Sequence, residues 1–130
     1  MQIEKTYHLA FPRAQVFQAW VSSDTVIAPA QRMHVEPWVG GVYQLFMDAG
    51  DTPSNAGRFL QVIPDAFLKY SWEWYGDGHV TEIDVRFTDA PGGTTVTLSH
   101  GPFSDPDSYA AHDTGWDSYI AGFERHLQSA

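Results

Sequence analysis

His112 and Trp116 stand one helical turn apart in the last third of the chain, and both side chains can act on a bound molecule. An imidazole there could donate a hydrogen bond to a ligand carbonyl, or serve as an acid or base near neutral pH. The plainer reading makes Trp116 a core anchor and bonds His112 to a strand. A second group is Tyr70, Trp72 and Trp74, which alternate with Ser71 and Glu73 and so share a face with Leu68. Their hydroxyl and indole N–H groups can orient a ligand, but none is a strong nucleophile. Ser99-His100 resembles a serine–histidine pair, yet adjacent strand residues point to opposite faces, so the pairing is set aside. The histidines (His8, His34, His79, His100, His112 and His126) show neither i, i+4 helical spacing nor a short ligand loop. Only a site built in three dimensions from His79, His100 and His112 remains open, and no metal or cofactor is expected. Glu82, Asp84 and Arg86 share the wet face of one strand, and no carboxylate pair interrupts an apolar face. No catalytic residue is assigned.

The elements that must hold these groups follow from hydrophobic period and turn residues. Ile3 to Leu9 alternates as a half-buried strand. Pro12 stops it, and Val16, Phe17, Trp20 and Val21 form one helical stripe. Ser22-Ser23-Asp24 can cap a second short helix ending at Pro29. Strands are then expected at Met33–Trp38, Val42–Met47, Arg58–Ile63, Phe67–Trp74, His79–Thr88 and Thr94–His100. Gly40-Gly41, the polar run 50–55, Pro64-Asp65, Gly76-Asp77-Gly78 and Pro91-Gly92-Gly93 are the turns between them. Neither glycine pair sits in the strand–loop–helix context of a phosphate site. Ser104-Asp105-Pro106 reads as a cap, and Tyr109, His112, Trp116, Tyr119, Ile120, Phe123 and Leu127 recur at helical spacing. A helix of about 24 residues spans ~36 Å, enough to cover the apolar face of a whole sheet.

Composition narrows the function classes. Five Trp, six Tyr and eight Phe are more than a 130-residue core needs, so some rings are free to line a cavity. Seven basic against sixteen acidic residues give a net charge of −9, which argues against nucleic acid and anionic membranes as partners. The absence of cysteine removes disulfides, thiolate metal sites and a Cys nucleophile. Without an apolar leader or an 18-residue apolar run, a cytoplasmic location is the expectation.

Four segments together resemble the START-like (SRPBCC) superfamily, also described as the polyketide cyclase or Bet v-like helix-grip fold. They are Phe11-Pro12-Arg13-Ala14-Gln15-Val16-Phe17-Gln18-Ala19-Trp20; Glu36-Pro37-Trp38-Val39-Gly40-Gly41-Val42-Tyr43; Gly57 to Pro64 followed by Leu68-Lys69-Tyr70-Ser71-Trp72; and His112-Asp113-Thr114-Gly115-Trp116. The branch they resemble is that of bacterial proteins similar to the C-terminal domain of the activator of the heat-shock protein 90 ATPase. This chain departs from it at Ala28-Pro29, where the branch usually carries a tryptophan near the pocket entrance.

The resemblance implies an α+β helix-grip fold over residues 1–130 as one domain, with two short helices after the first strand. A curved antiparallel sheet of about seven strands would wrap a long C-terminal helix. A small hydrophobic or aromatic ligand would sit between sheet and helix. Tyr70, Trp72, Trp74, His112 and Trp116 would orient it, with Trp38 and Tyr43 near one end and Val85 and His100 on the sheet face. The superfamily hosts many activities, so two alternatives stand: a cyclase or dehydratase using His112 or Tyr70, and a co-chaperone-like activator of a chaperone ATPase. A homodimer through a strand edge or the pocket rim is a further expectation.

Overall fold

In the computed structural model, which describes residues 1–129, the alternating stretches form one antiparallel sheet of seven strands. These are β1 (Ile3–Leu9), β2 (Arg32–Val35), β3 (Val42–Phe46), β4 (Asn55–Ile63), β5 (Phe67–Trp74), β6 (Val80–Ala90) and β7 (Gly93–Gly101). Two helices accompany them among the described residues, α1 (Arg13–Trp20) and α2 (Pro106–Gln128). The spatial order is β1-β7-β6-β5-β4-β3-β2, so the meander runs hairpin by hairpin and β1 closes its far edge against β7.

The expected second short helix is absent: the segment from Val21 to Gln31 contains turns but no helix. The Ser22 hydroxyl captures the Asp24 amide at 3.0 Å, and Ser23 Oγ takes the Val35 amide at 2.9 Å. Such side-chain bonds offer the backbone an alternative to a helical ladder. Thr25, Val26 and Ile27 are β-branched in succession, and Pro29 removes an amide donor.

β4 begins at Asn55, earlier than its apolar pattern indicates, because Asn55 pairs with both Leu45 and Trp74. Between Phe59 and Gln61 its register with β5 shifts, leaving Leu60 as an extra residue. That bulge keeps Phe59 and Val62 on the inner face while Leu60 and Gln61 turn outward, and it increases the local bend. The inner face can be read across the register: Tyr43 beside Gly57, Phe59 beside Tyr70, Tyr70 beside Ile83 and Ile83 beside His100. Gly57 has no room for a side chain, since a Cβ there would meet the Ser71 carbonyl. Tyr43, paired with Gly57, has its ring stacked on Tyr70 at 4.8 Å and tilted towards Trp72 at 6.0 Å.

α2 starts where Asp105 accepts the Asp107 amide at 3.1 Å, with Pro106 in the first turn. Lys5 on β1 reaches Asp113 at 3.1 Å and Asp117 at 3.3 Å, and the Tyr7 hydroxyl donates to Asp117 at 2.8 Å. These bonds hold the helix over the sheet. Its C-terminal half is buried at Ile120, Phe123 and Leu127. There the core is closed: Phe17 and Trp20 pack edge-on against Phe87 at 5.4 and 5.8 Å, and Trp20 meets Phe123 at 5.3 Å.

Candidate functional site

The N-terminal half of α2 does not touch the sheet so closely, and a cavity of about 300 Å³ lies between them. Tyr43, Leu45, Asn55, Tyr70, Trp72 and Trp74 form its sheet wall, with His100 at one side. His112, Trp116 and Tyr119 come from α2, and Ile27, Ala28 and Pro29 from the non-helical segment. Trp20 divides the hollow half from the packed half, stacking on Trp116 at 6.0 Å with the planes 17° apart. Ala111, Gly115 and Ser118 line the cavity and are exposed, as are Ala28 and Pro29 opposite them, so the mouth lies between these two edges. A smaller cavity of about 90 Å³ adjoins the first and shares Trp72, Trp74 and His112 with it; Asp77 and Asp105 stand on its far side.

Tyr43, Tyr70, Trp72, Trp74, His100, His112 and Trp116 are brought together on this wall. Trp38 and Val85 are not. Trp38 is 59% exposed in the turn after β2, where the Gly41 amide donates to its carbonyl at 2.8 Å. Met33 and Val35 point inward, so even a longer strand would have placed Trp38 outward. Val85 is fully buried between Leu68 and Leu98, in the closed part of the core. Asn55 was not anticipated, because it ends a polar run that reads as loop. Its parity with Gly57 and Phe59 is the one sequence signal that places it inward.

The polar atoms of the wall divide into occupied and unoccupied. Trp116 Nε1 donates to His100 Nδ1 at 3.0 Å, which leaves Nδ1 unprotonated and the ring proton on Nε2. Nε2 donates to Thr81 Oγ1 at 2.7 Å, and Thr81 donates onward to the Trp72 carbonyl at 3.2 Å. Burial, with a smaller contribution from His112, pushes the His100 pKa down to about 3. His100 therefore presents a ring edge to the cavity and has no nitrogen to offer a ligand. Trp20 Nε1 donates to the Tyr70 hydroxyl at 3.2 Å. The Tyr70 and Tyr119 hydroxyls lie against that of Tyr43. Burial pushes Tyr43 up to about 12 and raises the other two well above the usual phenol value, so all three stay protonated. On His112, Nδ1 donates to the Ser108 carbonyl at 2.8 Å, and Nε2 has no protein partner among the described residues. Two buried donors also lack partners, Asn55 Nδ2 and Trp72 Nε1. Each such orphan costs about 1–3 kcal/mol. Among the described residues, no group of three or more His, Asp or Glu side chains is arranged to hold a metal ion, and no helix is long and apolar enough to cross a membrane.

Residues 10–128 match the family model described as Activator of Hsp90 ATPase homolog 1-like protein. The chain belongs to this family. Solved structures place the AHSA1-like chain in the same fold. It superposes on an HSP90 activator from Plasmodium falciparum with a TM-score of 0.82 at 20% identity, covering 98% of this chain and 96% of that one. An AHSA1-like protein from Aeromonas hydrophila gives 0.77 at 22% identity, covering 99% and 93%. A protein from Mesorhizobium loti gives 0.82 at 17% identity, covering 100% and 98%. No curated protein matches the chain. Ala28 and Pro29 both sit at the cavity mouth.

Proposed function

We propose that this AHSA1-like protein binds a small, predominantly aromatic molecule in the cavity between the sheet and the first half of α2. The observation that carries the reading is the contrast within one helix–sheet interface. One half is packed shut by Phe17, Trp20, Phe87 and Phe123, while the other keeps about 300 Å³ open behind aromatic side chains. That volume is at the small end of ligand pockets, and rings with a few placed polar groups are what such pockets offer. A hollow gives up packing contacts that filling it would supply, so its retention favours an occupant.

The cyclase or dehydratase alternative lacks a partner for His112. His100 is held neutral with both nitrogens occupied, and the three tyrosines are too weakly acidic to share proton transfer near neutral pH. The chaperone-activating role belongs to the Plasmodium protein, and 20% identity carries the fold alone.

Titration with the neutral fluorophore N-phenyl-1-naphthylamine tests the proposal. Saturable, blue-shifted probe emission with quenching of intrinsic Trp fluorescence is expected, since Trp72, Trp74 and Trp116 all border the cavity. No saturable response, together with a crystal structure in which side chains fill the space, would overturn it.

A further inference from the structure

We propose that the ligand is an uncharged aromatic compound carrying a carbonyl oxygen, and that Asn55 Nδ2 and Trp72 Nε1 receive this oxygen. The inference rests on the binding role given above to the cavity. It starts from the buried polar side chains. Thr81 and His100 are bonded to each other, Thr94 donates to the Phe11 carbonyl at 2.7 Å, and Thr25 meets His126 at 3.3 Å. Asn55, only 2% exposed, is the exception: its amide nitrogen has no partner, and the residue lines the cavity. Trp72 Nε1, on the neighbouring strand, is the second orphan in the same wall.

The two positions are neighbours on one face. Asn55 pairs directly with Trp74, and Trp72 lies two residues along β5, the diagonal relation within reach of long side chains. An amide can turn and offer its oxygen instead, but an indole N–H can only donate. The missing partner is therefore an acceptor. Neither nitrogen has accessible surface or a protein partner among the described residues. For a ligand oxygen to reach them, the Asn55 amide must turn and the indole edge must tip towards the cavity that both residues line.

Charge selects the kind of acceptor. Among the described residues lining either cavity there is no Lys or Arg, while Asp77 and Asp105 border the smaller one. A carboxylate or phosphate would be buried without a Lys or Arg to pair with and beside two carboxylates, which is far costlier than burying a carbonyl. The flat faces of Tyr43, Trp72 and Trp116 supply the stacking surface for an aromatic body.

Displacement of N-phenyl-1-naphthylamine by 2-acetylnaphthalene and by 2-ethylnaphthalene tests this, because the pair differs only by a carbonyl in place of a methylene. On the unmodified protein the ketone should bind about tenfold more tightly. In Trp72→Phe and in Asn55→Leu the preference should shrink in each and vanish in the double variant. Far-ultraviolet circular dichroism and a cooperative thermal transition matching those of the unmodified protein show that the variants are folded. Equal binding of the two compounds to the unmodified protein would overturn the carbonyl proposal while leaving the cavity as a ligand site. Tighter binding of 2-naphthoate than of the ketone would also overturn it. Binding of neither compound, with no response from the fluorophore, would remove the ligand-site reading itself.

Discussion

His100 shows at the scale of one residue how a group that looks reactive in sequence becomes inert in place. Its imidazole lies between a donor, Trp116 Nε1, and an acceptor, Thr81 Oγ1, so only the neutral Nε2–H form satisfies both. A second proton would set two N–H groups against each other at 3.0 Å. The unfolded chain titrates near the ordinary histidine value of 6.5, whereas the folded ring does so at about 3. Between those values the unfolded state binds more protons, so stability falls as the pH is lowered. The full contribution is present above pH 6.5 and is lost towards pH 3. Urea unfolding should show stability decreasing by up to about 1.4 kcal/mol per pH unit within this window, before carboxylate protonation adds to it. His100→Gln can still accept from Trp116 and donate to Thr81, and it should remove this histidine's part of the slope. An unchanged slope in that variant would assign the acid sensitivity to other groups.

At the scale of the element, α2 sets how much of the interface is open. Its later turns carry Ile120, Phe123 and Leu127 into the core, while its earlier turns present Ala111, Gly115 and Ser118 at the mouth. Gly115 is in mid-helix, where glycine is unfavourable, and a Cβ there would meet nothing within 4 Å. Gly115→Ala should therefore stabilise the protein by about 0.5–1 kcal/mol and leave N-phenyl-1-naphthylamine binding intact. Gly115→Phe should place a ring at the mouth and weaken the probe by about tenfold or more, the outcome of occluding a small pocket. If the phenylalanine variant binds as well as the original, the mouth lies elsewhere. The segment opposite belongs to the same scale. Side-chain bonds from Ser22 and Ser23, the β-branched run and Pro29 turn an expected helix into an irregular strip that reaches the mouth with Ile27, Ala28 and Pro29.

At the scale of the whole molecule, seven cationic against sixteen anionic side chains leave a net −9, and several cations are already engaged. Lys5 is held by Asp113 and Asp117, Arg13 by Asp89, and Lys69 lies near Glu82 and Asp84. Few basic groups remain to displace counterions from phosphates or anionic lipids. The protein should stay unbound in flotation with phosphatidylserine vesicles at low salt, where attraction is strongest. Co-flotation would show a basic surface that the charge balance conceals.

Much of the architecture was legible in the chain itself. Alternation in Ile3–Leu9, Phe67–Trp74 and Thr94–His100 marks strands because a half-buried strand needs period two, and the 3.6-residue recurrence from Tyr109 to Leu127 marks the covering helix. The same alternation brought Tyr70, Trp72 and Trp74 to one face. Other features were decided only in three dimensions. Trp38 and Val85 left the candidate wall because one lies beyond the strand's end and the other under a packed stretch of core. Asn55 entered it because backbone pairing to Leu45 and Trp74 extended β4 into a polar run. Whether a nitrogen is occupied or orphaned depends on atoms far apart in sequence, such as Trp116 against His100 and Thr81. Periodicity reports which face a residue takes; the partner across the interface, and the space left where two curvatures diverge, exist only once the chain has folded.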